Sequence, residues 1–191
     1  MTNHNTRGPV VTVPAVTYTG HTAHLVHIQA EHAADQAAVQ LIGLGDDHAW
    51  LTRDRLFAAL ATSAGLTWPT QPLTLTVHGH GIPAGDSGLD LAFALALLAA
   101  AGQVPPDQVM QLAGLAELGL DGTLRPIPGL GARAQQVADA AISATVVAPA
   151  DLPAARTILG TTVTAATTLA DLVASLRRGE RRHQPAAWPV A

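Results

Sequence analysis

The sequence predicts an α/β (α+β) fold, with N-terminal antiparallel strands followed by a mixed sheet and packed helices. Three observations carry this. Residues 10–42 hold Val- and Thr-rich stretches of the kind that form half-buried strands. Residues 91–101, LAFALALLAAA, are eleven apolar residues in a row behind a helix-start signal. Beyond them, short apolar runs alternate with helical patterns, the order of a chain that mixes strands with covering helices.

Each element follows from its residues. Residues 10–18, 24–29 and 38–42 read as three strands, expected to form an antiparallel meander. Gly43-Leu44-Gly45-Asp46-Asp47 is a turn and helix start. The helix should run to about residue 64, with Leu56, Phe57 and Leu60 inward and Arg53, Asp54 and Arg55 outward. In the next strand Leu73, Leu75 and Val77 alternate with Thr74, Thr76 and His78. Glycines and a proline between Gly79 and Gly85 break regular structure. Ser87 is then the expected N-cap of a helix, with Asp90 in its first turn, where the helix dipole favours a carboxylate. Eleven apolar residues rise only ~16 Å, too short for a bilayer, so this helix belongs at the centre of a protein core. Gly102 and Pro105-Pro106 end it.

Residues 112–118 and 123–127 flank the hairpin signal Asp121-Gly122. A helix over 131–141, a strand over 144–147, a helix over 149–159 and a strand over 161–164 follow. Thr168 caps a last helix that ends near Arg178. The expected organisation is an N-terminal extension (1–9), one domain (10–178) and a flexible tail (179–191) with arginines and prolines.

Composition removes several chemistries. There is no cysteine, so disulfides and Cys-based metal or nucleophile sites are excluded. There is no lysine either: all ten basic residues are arginine. Guanidinium stays protonated and cannot serve as a general base. Residues 1–176 carry a net charge of −7 and residues 177–191 carry +3, so only the tail suits a phosphate backbone. The N-terminus lacks a basic region followed by an apolar run, so no signal peptide or membrane contact is expected, and the expected location is cytoplasmic.

Four blocks of the chain, in order, resemble the N-terminal domain of the magnesium-chelatase-like ComM (YifB) family. They are VQLIGLGDDHAWLTRDRLFAALATSAGLTWP (39–69), LTLTVHGHGIPAGDSGLDLAFALALLAAAGQV (73–104), LAELGLDGTLRPIPGL (115–130), and the pattern around Val146-Val147-Ala148-Pro149 and Thr168-Leu169-Ala170-Asp171-Leu172. The second and third blocks are shared by a wider fold group that includes the Lon protease domain and the C-terminal domain of RadA-type recombination proteins. The first block favours ComM. The resemblance implies a Lon-protease-like fold over about residues 10–178.

It also implies where chemistry would have been. Ser87 stands at the position of the Lon-type nucleophile. The position of its lysine base falls at about Gly131, and no lysine exists to fill it. A serine without an adjacent base is a poor nucleophile, so Ser87 is at most a vestigial candidate and no enzyme activity is expected. Members of the family carry an AAA+ ATPase module after this domain. Its Walker A loop needs a lysine that these residues do not contain. No cofactor is expected.

The remaining constellations are weak. His78 and His80 lie two apart at a strand end and are the one pair that could share a metal, against the three or four ligands a site needs. Gly85-Asp86-Ser87-Gly88 could bind an anion through free N–H groups, but Asp86 opposes it and a tight turn is the better reading. Glu117, Asp121 and Arg125 are expected to fix the hairpin. Arg177, Arg178, Arg181 and Arg182 form the basic run that could contact nucleic acid or an acidic partner. Trp188 could anchor the tail on another surface. The reading that results is a non-catalytic accessory or interaction domain. It would assist DNA processing or recombination through self-association or a ComM-type AAA+ relative. The alternatives are a degenerate serine hydrolase that uses Ser87 with a non-lysine base, and a weak nucleic-acid binder acting through the arginines.

Overall fold

A computed structural model describes residues 10–33, 38–80 and 86–179. The elements are β1 (Val11–Thr19), β2 (Thr22–His32), β3 (Gln40–Ile42), α1 (Asp46–Thr62), β4 (Leu73–Gly79), α2 (Asp90–Ala100), α3 (Pro106–Val109), β5 (Leu112–Leu115), β6 (Glu117–Leu118), β7 (Leu124–Arg125), α4 (Leu130–Asp139), β8 (Ala144–Val147), α5 (Leu152–Leu159), β9 (Val163–Ala165) and α6 (Leu169–Arg177). They form a four-stranded sheet in the order β1-β2-β4-β3, a parallel sheet β5-β8-β9 and the hairpin β6-β7. The class is mixed α/β, as the sequence predicts.

Alternation in the first sheet decides what lies on each face. Val11, Val13 and Ala15 of β1, with Val26, Ile28 and Ala30 of β2, are buried in the core that surrounds α2. Val16 and Ala23 join a second core with Ala134 and Val137 of α4 and Val147 of β8. The sheet thus separates α2 from α4, and β1 reaches both. Every residue of α2 is buried, which is why its sequence has no polar face. The parallel sheet comes close to it: a Cβ at Gly114 of β5 would lie 2.9 Å from the Leu91 side chain, so only glycine allows this approach.

The expected meander fails at its third strand. β4, not β3, pairs antiparallel with β2, and β3 pairs parallel with β4. The reason lies in burial and connection. Leu73 and Leu75 are fully buried, so β4 takes the interior position, while Gln40 and Ile42 are exposed and suit an edge. The intervening α1 is the crossover that a parallel pair requires.

Two side chains of α1 also differ from expectation. Leu56 and Leu60 point inward, but Phe57 is 52 % exposed, and Arg55 turns toward α2 instead of outward. The run 112–118 is not one strand. It breaks at Ala116, with β5 in the parallel sheet and β6 in the hairpin. Thr168 caps α6 as expected, accepting from the Asp171 N–H at 3.1 Å. Among the described residues no helix is long and apolar enough to cross a membrane.

Candidate functional site

Among the described residues, the buried charges gather at the start of the central helix. Residues 87–89 form a single 3-10 turn that leads into α2. The cap of this turn is Asp86, not Ser87: the Asp86 carboxylate accepts from the Gly88 N–H at 3.0 Å. It also accepts from the Thr17 hydroxyl at 2.9 Å, the Tyr18 N–H at 2.9 Å and Arg133 Nη2 at 2.7 Å. Four donors saturate it. The Gly88 N–H that an anion would need is therefore already used, and a ligand at this turn would meet a carboxylate.

Arg133 is 1 % exposed, a rare state for an arginine and one that requires partners for its donors. Besides Asp86 it donates to the Pro128 carbonyl at 3.1 Å and to the Val16 carbonyl, and its guanidinium lies 5.6 Å from the Tyr18 ring centroid. A Cβ at Gly88 would fall 2.7 Å from that guanidinium, so a side chain at 88 would displace it. The Asp86–Arg133 pair ties β1, α4 and the start of α2 together.

A second pair lies one turn further on. Arg55 of α1 grips Asp90 with two bonds, Nε to Oδ2 at 2.6 Å and Nη2 to Oδ1 at 2.9 Å, and is steadied by Thr52 at 3.0 Å. Asp90 is 1 % exposed. Burial pushes its carboxyl up to about 6 against the opposing pull of Arg55, with the nearby Glu117 and Asp86 charges adding to the rise. The same contact raises the Arg55 guanidinium, chiefly through its bond to Asp90.

Ser87 is half-buried and donates its hydroxyl to Glu117 Oε2 at 3.3 Å. The Glu117 side chain thus serves the helix start, while its backbone stays in the hairpin, paired in register with Arg125. Asp121 and Arg125 do fix the hairpin, meeting at 3.4 Å, with Thr123 bonded to both. Gly131, the position implied for a lysine, is exposed, while Arg133 two residues on is the buried cation. Around Ser87 the arrangement offers carboxylates that accept and guanidinium groups that donate.

The other sequence candidates lie apart from this cluster. His78 and His80 are exposed, and β4 ends between them at Gly79, so they do not share a strand face. Among the described residues no three His, Asp or Glu side chains form a metal-capable group. Arg177 does not lie free for nucleic acid: it donates to the Gln103 carbonyl at 2.8 Å and to the Gly65 carbonyl at 3.3 Å and 3.4 Å. Arg178 closes α6 and is engaged in the fold. Arg181, Arg182 and Trp188 lie outside the described residues, as do the extension and most of the tail.

Sequence reasoning missed the inward role of Arg133, although a signal existed. Leu130, Arg133, Ala134 and Val137 fall on one helical stripe, so an arginine there is flagged as buried by its own spacing. It also missed an aromatic surface on α1. Arg53 lies 5.5 Å from the Trp50 ring and 5.9 Å from the Trp68 ring, and Phe57 meets Trp68 edge-on at 5.5 Å.

Comparison with known proteins agrees with the quoted blocks. Residues 28–151 match the family described as subunit ChlI of Mg-chelatase. An uncharacterized protein of Mycobacterium tuberculosis is 34 % identical over 170 residues, covering 85 % of this chain and 32 % of its own length. The uncharacterized protein YifB of Escherichia coli is 32 % identical over 89 residues, covering 47 % of this chain and 17 % of its own. Competence protein ComM of Haemophilus influenzae is 29 % identical over 108 residues, covering 56 % and 21 %. The chain spans no more than about a third of the length of these relatives. On this evidence the chain belongs to the Mg-chelatase subunit ChlI-like family, as a counterpart of the N-terminal domain of ComM/YifB-type proteins.

Proposed function

We propose that this domain is a non-catalytic accessory or interaction module, with the Lon-type fold that its motifs resemble. It works in the cytoplasm by binding protein partners, either copies of itself or a ComM-type AAA+ relative, and through them assists DNA processing. The observation that carries the reading is the closed Asp86–Arg133 pair at the helix start. The turn where a Lon-type nucleophile would act is pinned by a saturated carboxylate and a buried guanidinium. Ser87 has a carboxylate for a neighbour, and the buried guanidinium of Arg133 nearby is a donor that cannot take its proton. The test is light scattering of the chain alone and mixed with a full-length ComM-type protein from the same cell. A mixed assembly is the expected result. A chain that neither self-associates nor joins the relative would overturn the reading.

One observation favours a second reading. Glu117 within 3.3 Å of the Ser87 hydroxyl could act as a base for a degenerate hydrolase. Covalent labelling of Ser87 that is lost on Glu117→Gln would establish it.

A further inference from the structure

The outer face of α1 is self-complementary. Trp50 is 64 % exposed and Phe57 52 % exposed, seven positions apart and so on one helical face. Between them lie Arg53 and Asp54, with side-chain exposures of 31 % and 73 %. Within the chain these two approach only to 3.9 Å, a contact too long and too wet to hold either charge. Leu51, 55 % exposed, flanks the face, and Ile42 of the edge strand β3 is 47 % exposed. Together the exposed apolar side chains of Trp50, Leu51, Phe57 and Ile42 amount to roughly 400 Å², within the range of the largest patch on an ordinary monomer, which is often functional.

We propose that the occupant of this face is a second copy of the chain, with the two α1 helices antiparallel about a two-fold axis between positions 53 and 54. A two-fold interface requires that if residue i meets j, then j meets i. An antiparallel helix pair centred there places Trp50 against Phe57 of the second copy, and Arg53 against Asp54 of the second copy. Both contacts occur twice. Asp46 is carried toward Ala61 of the second copy, so acidic residues do not meet in this register. Shifting the centre by half a residue onto position 54 would bring the two Asp54 carboxylates together, a repulsion that selects the first register. Arg53, already lying between Trp50 and Trp68, is held where it can reach the other copy's carboxylate. Two such patches together cover roughly 800 Å², below the standard size of a stable interface, which fits only a weak, concentration-dependent dimer.

This inference deepens the interaction-module reading, on which it rests for its purpose but not for its geometry. The test is sedimentation velocity of the full chain over a concentration series, with three variants. The wild-type chain is expected to shift from monomer to dimer as concentration rises. Arg53→Asp and Asp54→Arg each place like charges across the axis and are expected to weaken dimerisation by about tenfold or more. The double variant R53D/D54R restores an opposite pair at both contacts and is expected to return near the wild-type constant. Far-UV circular dichroism confirms the fold of each, and Asp54→Arg, at the more exposed position, is the variant least able to disturb it. A chain that stays monomeric throughout overturns the proposal. So does a dimer that neither single charge reversal weakens, or a double variant no better than the singles. A chain that stays monomeric yet joins a ComM-type relative would overturn the dimer face and leave the functional reading intact.

Discussion

Arg133 Nη2 lies 2.7 Å from Asp86 Oδ1, joining residues 47 apart in sequence with both side chains buried at the junction of β1, α4 and the start of α2. Breaking such a pair from one side leaves an uncompensated buried charge, at a cost of about 3–5 kcal/mol. Arg133→Met and Asp86→Ala are each expected to lose stability on that scale in urea unfolding. The double variant should lose clearly less than the two single losses added together, because it leaves no lone charge. Additive losses would show that the two groups do not act as a pair.

Gly88→Ala tests the same junction by volume. The added Cβ would stand 2.7 Å from the Arg133 guanidinium, which is fixed by three acceptors and cannot retreat cheaply. The expected loss is about 1–3 kcal/mol in the urea midpoint, the usual cost of overpacking. Gly131→Ala, at an exposed helical position with open space, should be neutral or slightly stabilising.

Much of the fold is legible because its signals are local. The eleven apolar residues behind Asp90 announce a central helix, residues 144–147 stand out as a short apolar strand, and Thr168 signals its own cap. The site is less legible because its contacts are not local. Arg55 meets Asp90 across 35 residues, and Arg133 meets Asp86 across 47. Neither pairing leaves a period in the sequence. Ser87 looks like the better cap only until the chain path brings Thr17, Tyr18 and Arg133 onto Asp86. Likewise β3 reads as a strand from composition, but its partner depends on β4 taking the buried place.

Asp90 gives stability a definite pH dependence. Its folded carboxyl lies at about 6, above its ordinary value, so the folded state binds more protons than the unfolded state between these two values. The contribution is fully present below the unfolded pKa and is lost as pH rises through about 6. On the scale of 1.36 kcal/mol per pKa unit, this site favours folding at low pH over pH 7 by roughly 3 kcal/mol. Asp90→Asn removes the titration. Urea midpoints from pH 4 to 7 should therefore show the wild-type chain gaining on the variant as the solution is acidified. A constant gap between the two would contradict the assignment.

Arg177 is a strut from α6 to the turns after α1 and α2, donating to the Gly65 and Gln103 carbonyls on an exposed surface. Arg177→Ala should lose about 0.5–1.5 kcal/mol, the ordinary net worth of such bonds. Urea unfolding measures it. An unchanged midpoint would return Arg177 to the pool of cations available to a partner.

The central claim is that the start of the central helix holds structure and not chemistry. Intact-mass measurement of the folded chain after exposure to a fluorophosphonate probe tests it most directly. The account predicts an unmodified mass, the same as for Ser87→Ala. A single adduct on Ser87 that disappears with Glu117→Gln would contradict it and make the domain a serine hydrolase.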